Sequence, residues 1–263
     1  MKLHFIKEPL LEFGQGEHIC PRAGISRYSV YDTKFEARRE RILVGAVGTS
    51  KNLSGLADWL EKCSDGILPP PDSKQPNLFP AFCGFNSGSG FRANLALMEE
   101  ITRSLKNSDI RKIIEIDNWN DRVNAAVELY YQEVKFLAQN RAVDVITCLI
   151  PTQLYNKIAA EKQSPMKETA TDEELEDSVE TNFRRALKAR TMHLGKPLQL
   201  MKEMSLKSNL TSQQDDATKA WNFCTALYYK ANQTVPGNSL QTSIGHQSAL
   251  WASDSTEVET IRY

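Results

Sequence analysis

The chain has 263 residues, a formal net charge of -1 at neutral pH and 41% hydrophobic residues, enough length for one large α/β unit with a proper core. Such a composition is ordinary for a soluble globular protein. No N-terminal apolar stretch reads as a signal peptide and no run approaches the ~20 apolar residues that span a bilayer, so the expectation is a cytoplasmic protein with no membrane partner.

Residues 1–38 read as an N-terminal extended segment. Leu3, Phe5, Leu10, Leu11 and Phe13 alternate loosely and are broken by Gly14, Gly16, Pro21 and Gly24, which predicts short extended pieces and no helix over the first 33 residues. From Arg41 the run Ile42, Leu43, Val44, Ala46, Val47 predicts a strand buried on both faces. Ser50 then caps a helix with the stripe Leu53, Leu56, Ala57, Leu60. A proline-rich loop and the glycines from Gly84 to Gly90 follow. Leu95, Leu97, Met98, Ile101 and Leu105 predict a helix, and Ile113, Ile114 and Ile116 a strand. Val123, Ala126, Val127, Tyr130, Val134 and Leu137 mark a long helix over about 120–139, leading into a strand from Val143 to Ile150 that Pro151 stops. Residues 160–180 are polar and acidic, a mobile insert that turns helical late, with Thr171 and Glu174 as a capping box. A strand from Pro197 to Met201 and a helix from about Asp215 to Lys230 complete a domain over 39–236. Residues 237–263 read as a polar tail with no clear period. Apolar strands alternating with amphipathic helices predict an α/β fold, a mostly parallel sheet with helices on both faces.

Charge is unevenly placed. From Glu161 to Glu180 there are eight acids and two lysines, whereas Phe183 to Ser208 holds seven Lys or Arg and one acid, so a basic face can sit behind a neutral total. Helix-dipole complementation alone accounts for such a run about as well. The five cysteines are scattered, with no Cys-x-x-Cys, and read as reduced, buried thiols; no zinc site is expected. Arg184 and Lys188 are four apart and share a helix face, as do Asn222, Ala226 and Lys230. Gln199 opens the strand after Pro197, where an amide can point into the crevice at the end of a parallel sheet. Cations and amides on three elements are what a phosphate monoester needs, and solvated surface charge is the competing account. No residue of the set is suited to attack phosphorus.

The stretches NFRRALKARTMHLGKPLQ (182–199) and WNFCTALYYKANQTVP (221–236) resemble the MID domain of short prokaryotic Argonautes and its junction with the PIWI domain. The opening is similar too, in Glu8 to Gly14, Pro21 to Ile25 and Tyr28 to Asp32, so the likeness covers nearly all of residues 8–236. The resemblance implies a Rossmann-like MID domain, not an enzyme, that binds the 5′-phosphate of a guide RNA or DNA strand through Lys188, Gln199 and Lys230. Asn222 stands at a polar position of the same pocket, and Arg184 where many members have Tyr. It further implies Mg2+ at that pocket, target nucleic acid once a PIWI half is supplied, and an effector protein with an Argonaute-associated domain of Sir2, TIR or nuclease type, in prokaryotic defence against plasmids or phage. Beyond Pro236 the likeness ends. An Argonaute chain would continue past Pro236 with a Trp, and where Pro-Gly-Asn-Ser is encoded CCT GGA AAC TCN, one extra base after the first CC makes it read Pro-Trp-Lys-Leu, so residues 237–263 are expected to be an out-of-frame tail in place of PIWI.

Two rival readings differ in class. A Rossmann-like small-molecule or nucleotide-binding enzyme would use Gly84 to Gly90 as its phosphate loop, but these glycines follow a proline-rich loop and not the first strand, and read better as a flexible connection. A protein-interaction module would dock a partner on the helix from Asp172 to Leu194.

Overall fold

The computed structural model describes residues 10–69, 79–158, 183–206, 216–232 and 252–253. The acidic insert with its Thr171–Glu174 box, most of the proline-rich loop and nearly all of the tail lie outside these residues. The chain divides into two compact units, one made of 1–42, 61–95 and 210–263, the other of 43–60 and 96–209.

The sheet is mostly parallel, as the apolar runs predict. Strand β3 (Arg41–Gly48) pairs in parallel with β5 (Thr102–Ser104) on one side and β6 (Val145–Ile150) on the other, and β6 pairs in parallel with β7 (Leu198–Lys202). The short β4 (Asn94–Ala96) also lies against β3, giving five strands with β7 at one edge. All six residues of β6 are buried, as expected for a strand covered on both faces.

In the second unit, helix α4 (Trp119–Asn140) provides the largest apolar face. Asn118 caps it by accepting from the Asp121 N–H at 3.1 Å, and Val123, Ala126, Val127, Tyr130, Val134 and Leu137 recur at helical spacing and are all buried. They pack with Val47, Ile146, Cys148 and Ile150 of the sheet and with α3 (Asn107–Ile114), α5 (Thr152–Ile158) and α6 (183–191). Burial of a large aliphatic or aromatic side chain there contributes roughly 1.5–3 kcal/mol. Tyr130 satisfies its hydroxyl by donating to the Leu149 carbonyl at 2.7 Å.

Two predicted elements exchange type. Residues 95–105, expected to be a helix, form β4, a 3-10 turn at Glu99–Ile101 and β5, whereas Ile113 and Ile114 end helix α3 instead of forming a strand. Thr102 to Ser104 pair with Ala46 to Gly48, and that ladder outweighs the helical spacing of the leucines. In α3, Ile110 and Ile113 are buried one turn apart, a helical period that the isoleucine run conceals. Helix α2 (Ser50–Asp65) is capped one residue earlier than expected, because the Asn52 N–H bonds Thr49 Oγ1 at 3.3 Å.

The first unit begins with a hairpin of β1 (Leu11–Glu12) and β2 (Glu17–His18), and β1 also pairs with β8 (Ala252–Ser253). Helix α1 (Pro21–Tyr28) follows where no helix was expected. Pro21 starts it, a position where the missing N–H costs nothing, and Gly24 faces Phe13 so closely that a Cβ would stand 2.1 Å from the ring. After α7 (Glu203–Leu206), helix α8 (Asp216–Ala231) brings Trp221 and Tyr228 against Phe82 and Phe91, with ring centroids 5.1–5.9 Å apart, and Trp221 Nε1 donates to the Ala81 carbonyl at 3.1 Å. Residues Gly84 to Gly90 are an ordered turn and not a loose connection. Asn86 Oδ1 accepts from the Gly88 N–H at 2.8 Å, its Nδ2 donates to the Ser64 carbonyl at 2.7 Å, and the Val30 N–H donates to the Gly90 carbonyl at 2.9 Å. No helix opens after these glycines, so the phosphate-loop geometry is absent there.

Candidate functional site

Several cations of the basic run after residue 183 make contacts that hold the fold. Arg190 pairs with Glu128 at 3.4 Å and its guanidinium lies 4.2 Å over the Tyr131 ring. Lys196 Nζ donates to the Val143 carbonyl at 2.8 Å, and Lys202 sits over the Tyr155 ring. These three hold structure together through carbonyl and cation–π contacts. Phe183 and Leu187 anchor α6 in the core of the second unit, which turns Arg184 and Lys188 outward, both exposed. The two cations are near enough to interact: partial loss of hydration, and then the positive charge of Arg184, hold the Lys188 amine below the usual lysine range.

Gln199 is placed differently from the expectation. It is the second residue of β7 and therefore near the strand's amino end, whereas the crevice of a parallel sheet lies beyond the carboxyl ends. Leu198 and Leu200 pack into the cluster that holds Phe183 and Leu187, so strand alternation puts Gln199 on the other face. Its Nε2 donates to the Leu200 carbonyl at 3.2 Å. The structure thus brings Arg184 and Lys188 together and sets Gln199 across the edge strand from them. Asn222 and Lys230 belong to the first unit. Asn222 is exposed on α8 and its Oδ1 accepts from Arg22 Nη2 at 3.4 Å, and Lys230 lies in the last turn of that helix, a place where a cation complements the helix dipole.

Sequence reasoning missed the crevice that the sheet does form. At the carboxyl ends of β3, β5, β6 and β7, all within the second unit, a polar hollow of about 740 Å3 is lined by residues that include Ser50, Asn52, Ser104, Lys106, Thr152 and Glu203. Glu203 accepts from Lys51 Nζ at 2.8 Å and from the Thr152 N–H at 3.0 Å. Burial pushes its carboxyl up, but these hydrogen bonds outweigh burial and hold it below the usual glutamate range. The available signal was Thr49 just past β3 and Glu203 just past β7, with Thr49 and Asn52 at capping distance.

No family model and no curated protein matches the chain. The chemistry of the residues therefore carries the functional reading.

For Mg2+ the donor set fits poorly. Arg184 and Lys188 are cations, and Gln199 offers one amide oxygen, whereas Mg2+ favours carboxylates and phosphate oxygens. Among the described residues, no group of three or more His, Cys, Asp or Glu side chains is placed to hold a metal.

Proposed function

We propose that the chain is a non-catalytic binding protein that takes the 5′-phosphate end of a guide nucleic-acid strand on the α6 face carrying Arg184 and Lys188. One observation supports this above the others: two exposed cations stand one helical turn apart, and partial loss of hydration, then the charge of Arg184, puts the charged form of Lys188 at a disadvantage. A phosphate dianion relieves that repulsion and accepts from both. The sequence resemblance to Argonaute MID domains supplies the guide strand, the defence context and an effector partner. Arg184 and Lys188 carry the phosphate capture in this reading, and Gln199, Asn222 and Lys230 are named by the resemblance alone.

The test compares binding of an oligonucleotide carrying a 5′-phosphate with its 5′-hydroxyl twin, in wild type and in Lys188→Ala and Arg184→Ala. Wild type is expected to prefer the phosphorylated strand, with an affinity that falls as salt rises, and both variants to lose most of that preference. Equal binding of the two strands by wild type would sink the reading.

A further inference from the structure

The crevice at the carboxyl edge of the sheet contains a side chain whose hydrogen bonding is incomplete. Asn52 is 2% exposed and is part of the crevice wall. Its orientation follows from its neighbours. Thr49 Oγ1 accepts from the Asn52 N–H and its hydroxyl donates to Asn52 Oδ1, so the carbonyl end of the amide is engaged and the NH2 end looks away from Thr49. Asn52 Nδ2 is buried without a hydrogen-bond partner. A buried donor left without a partner is costly, and an acceptor that reached it from the crevice would relieve that cost.

The rest of the wall says what kind of acceptor fits. Helix α2, 16 residues long, opens onto the crevice with no acidic residue in its first turn, and α3 opens there through Asn107. Helix N-termini present unpaired N–H groups and partial positive charge, which favour an anion. Lys106 adds a full charge and has no ion pair among the described residues. Among the described residues Glu203 is the one acid in the wall, and Lys51 pairs with it. Among the described residues no aromatic ring lines the hollow, and the hydroxyls of Ser50 and Ser104, 2.9 Å apart, with that of Thr152, suit a ligand rich in hydroxyl groups. A volume of about 740 Å3 suits a small molecule and not a polymer strand.

We propose that this crevice is a binding site for the phosphate monoester of a small, hydroxyl-rich molecule of the sugar-phosphate class, with Asn52 Nδ2, Lys106 and the α2 N-terminus as its phosphate donors. The site is separate from the guide-binding reading: it lies at the carboxyl end of the strands, whereas Gln199 lies near the amino end of β7 and Arg184 and Lys188 lie on α6.

Titration of the full chain with ribose 5-phosphate, ribose and inorganic phosphate, followed by amide NMR, tests the proposal. Ribose 5-phosphate at millimolar concentration should shift the Asn52 side-chain NH2 resonances, and ribose should not. Asn52→Asp and Lys106→Glu should each weaken binding at least about tenfold, and Lys188→Ala should leave it unchanged. The exposed Lys106→Glu carries the test if Asn52→Asp fails to fold. Equal shifts from ribose and ribose 5-phosphate, silence at Asn52, or full affinity in Lys106→Glu would overturn the assignment. Loss of ribose 5-phosphate binding in Lys188→Ala would also overturn it, by merging the two sites.

Discussion

Asp32 offers a measurable link between burial and pH. It lies in a 3-10 turn, is 0% exposed, and accepts from the Tyr228 hydroxyl at 2.6 Å through Oδ1, while Oδ2 has no partner. Burial raises its carboxyl from the ordinary 3.8 to about 6, against the opposing pull of Tyr228 and Arg38. An acid with a raised folded value holds its proton longer when folded than when unfolded. The folded state is therefore favoured below pH ~4 and loses that advantage as pH rises through about 6, an effect of about 3 kcal/mol. Asp32→Asn keeps the carbonyl that accepts from Tyr228 and removes the titration. Urea unfolding of both proteins from pH 4 to pH 8 isolates the effect, because other titrating groups cancel in the difference. Relative to the variant, wild type should lose about 2 kcal/mol across that range, part of the effect being already lost at pH 4. A difference that stays flat with pH would refute the buried-carboxylate account, and one that grows in favour of wild type would reverse its sign.

Three further outcomes follow from particular contacts. Gly90→Ala would place a Cβ 2.1 Å from the Ile25 carbonyl oxygen, so thermal unfolding should show a loss of about 1–3 kcal/mol; an unchanged midpoint would mean that the close approach is not present in solution. Asn118→Ala removes the α4 cap and should cost about 1 kcal/mol in denaturant titration, with Asn118→Ser recovering most of it. Arg184→Ala should move the Lys188 amine upward in an NMR titration, since one of the two influences holding it down is gone; no movement would mean that the two cations do not sense each other.

What was legible beforehand depended on whether local pattern and long-range pairing agreed. The apolar runs of β3 and β6 and the long stripe of α4 are uninterrupted, so local propensity and burial point the same way. Between residues 94 and 116 they conflict. Leu95, Leu97, Met98 and Ile101 carry no period that reveals their pairing partner, and the ladder of Thr102 to Ser104 on β3 is a contact made across more than fifty residues of sequence. Helix α1 was hidden because Pro21 and Gly24 read as breakers, although one starts the helix and the other admits the Phe13 ring. At the site, the Arg184–Lys188 spacing was readable from helix geometry alone. The placement of Gln199 was not, since it required the register of β7 on β6. The unpaired Asn52 amide was beyond reach altogether, because it emerges only when every neighbour's hydrogen bonds have been counted.

The interleaving of the two units orders events during synthesis. The second unit is complete in sequence once residue 209 has been made, but the first draws on residues 1–42, 61–95 and 210–263. Asp32 is therefore in place long before Tyr228, and Phe82 and Phe91 precede the Trp221 ring that covers them. At about 5–20 residues per second, the wait between residue 42 and the end of α8 is roughly 10–40 s. Throughout that interval Phe82 and Phe91 stand without the Trp221 and Tyr228 rings that later pack on them.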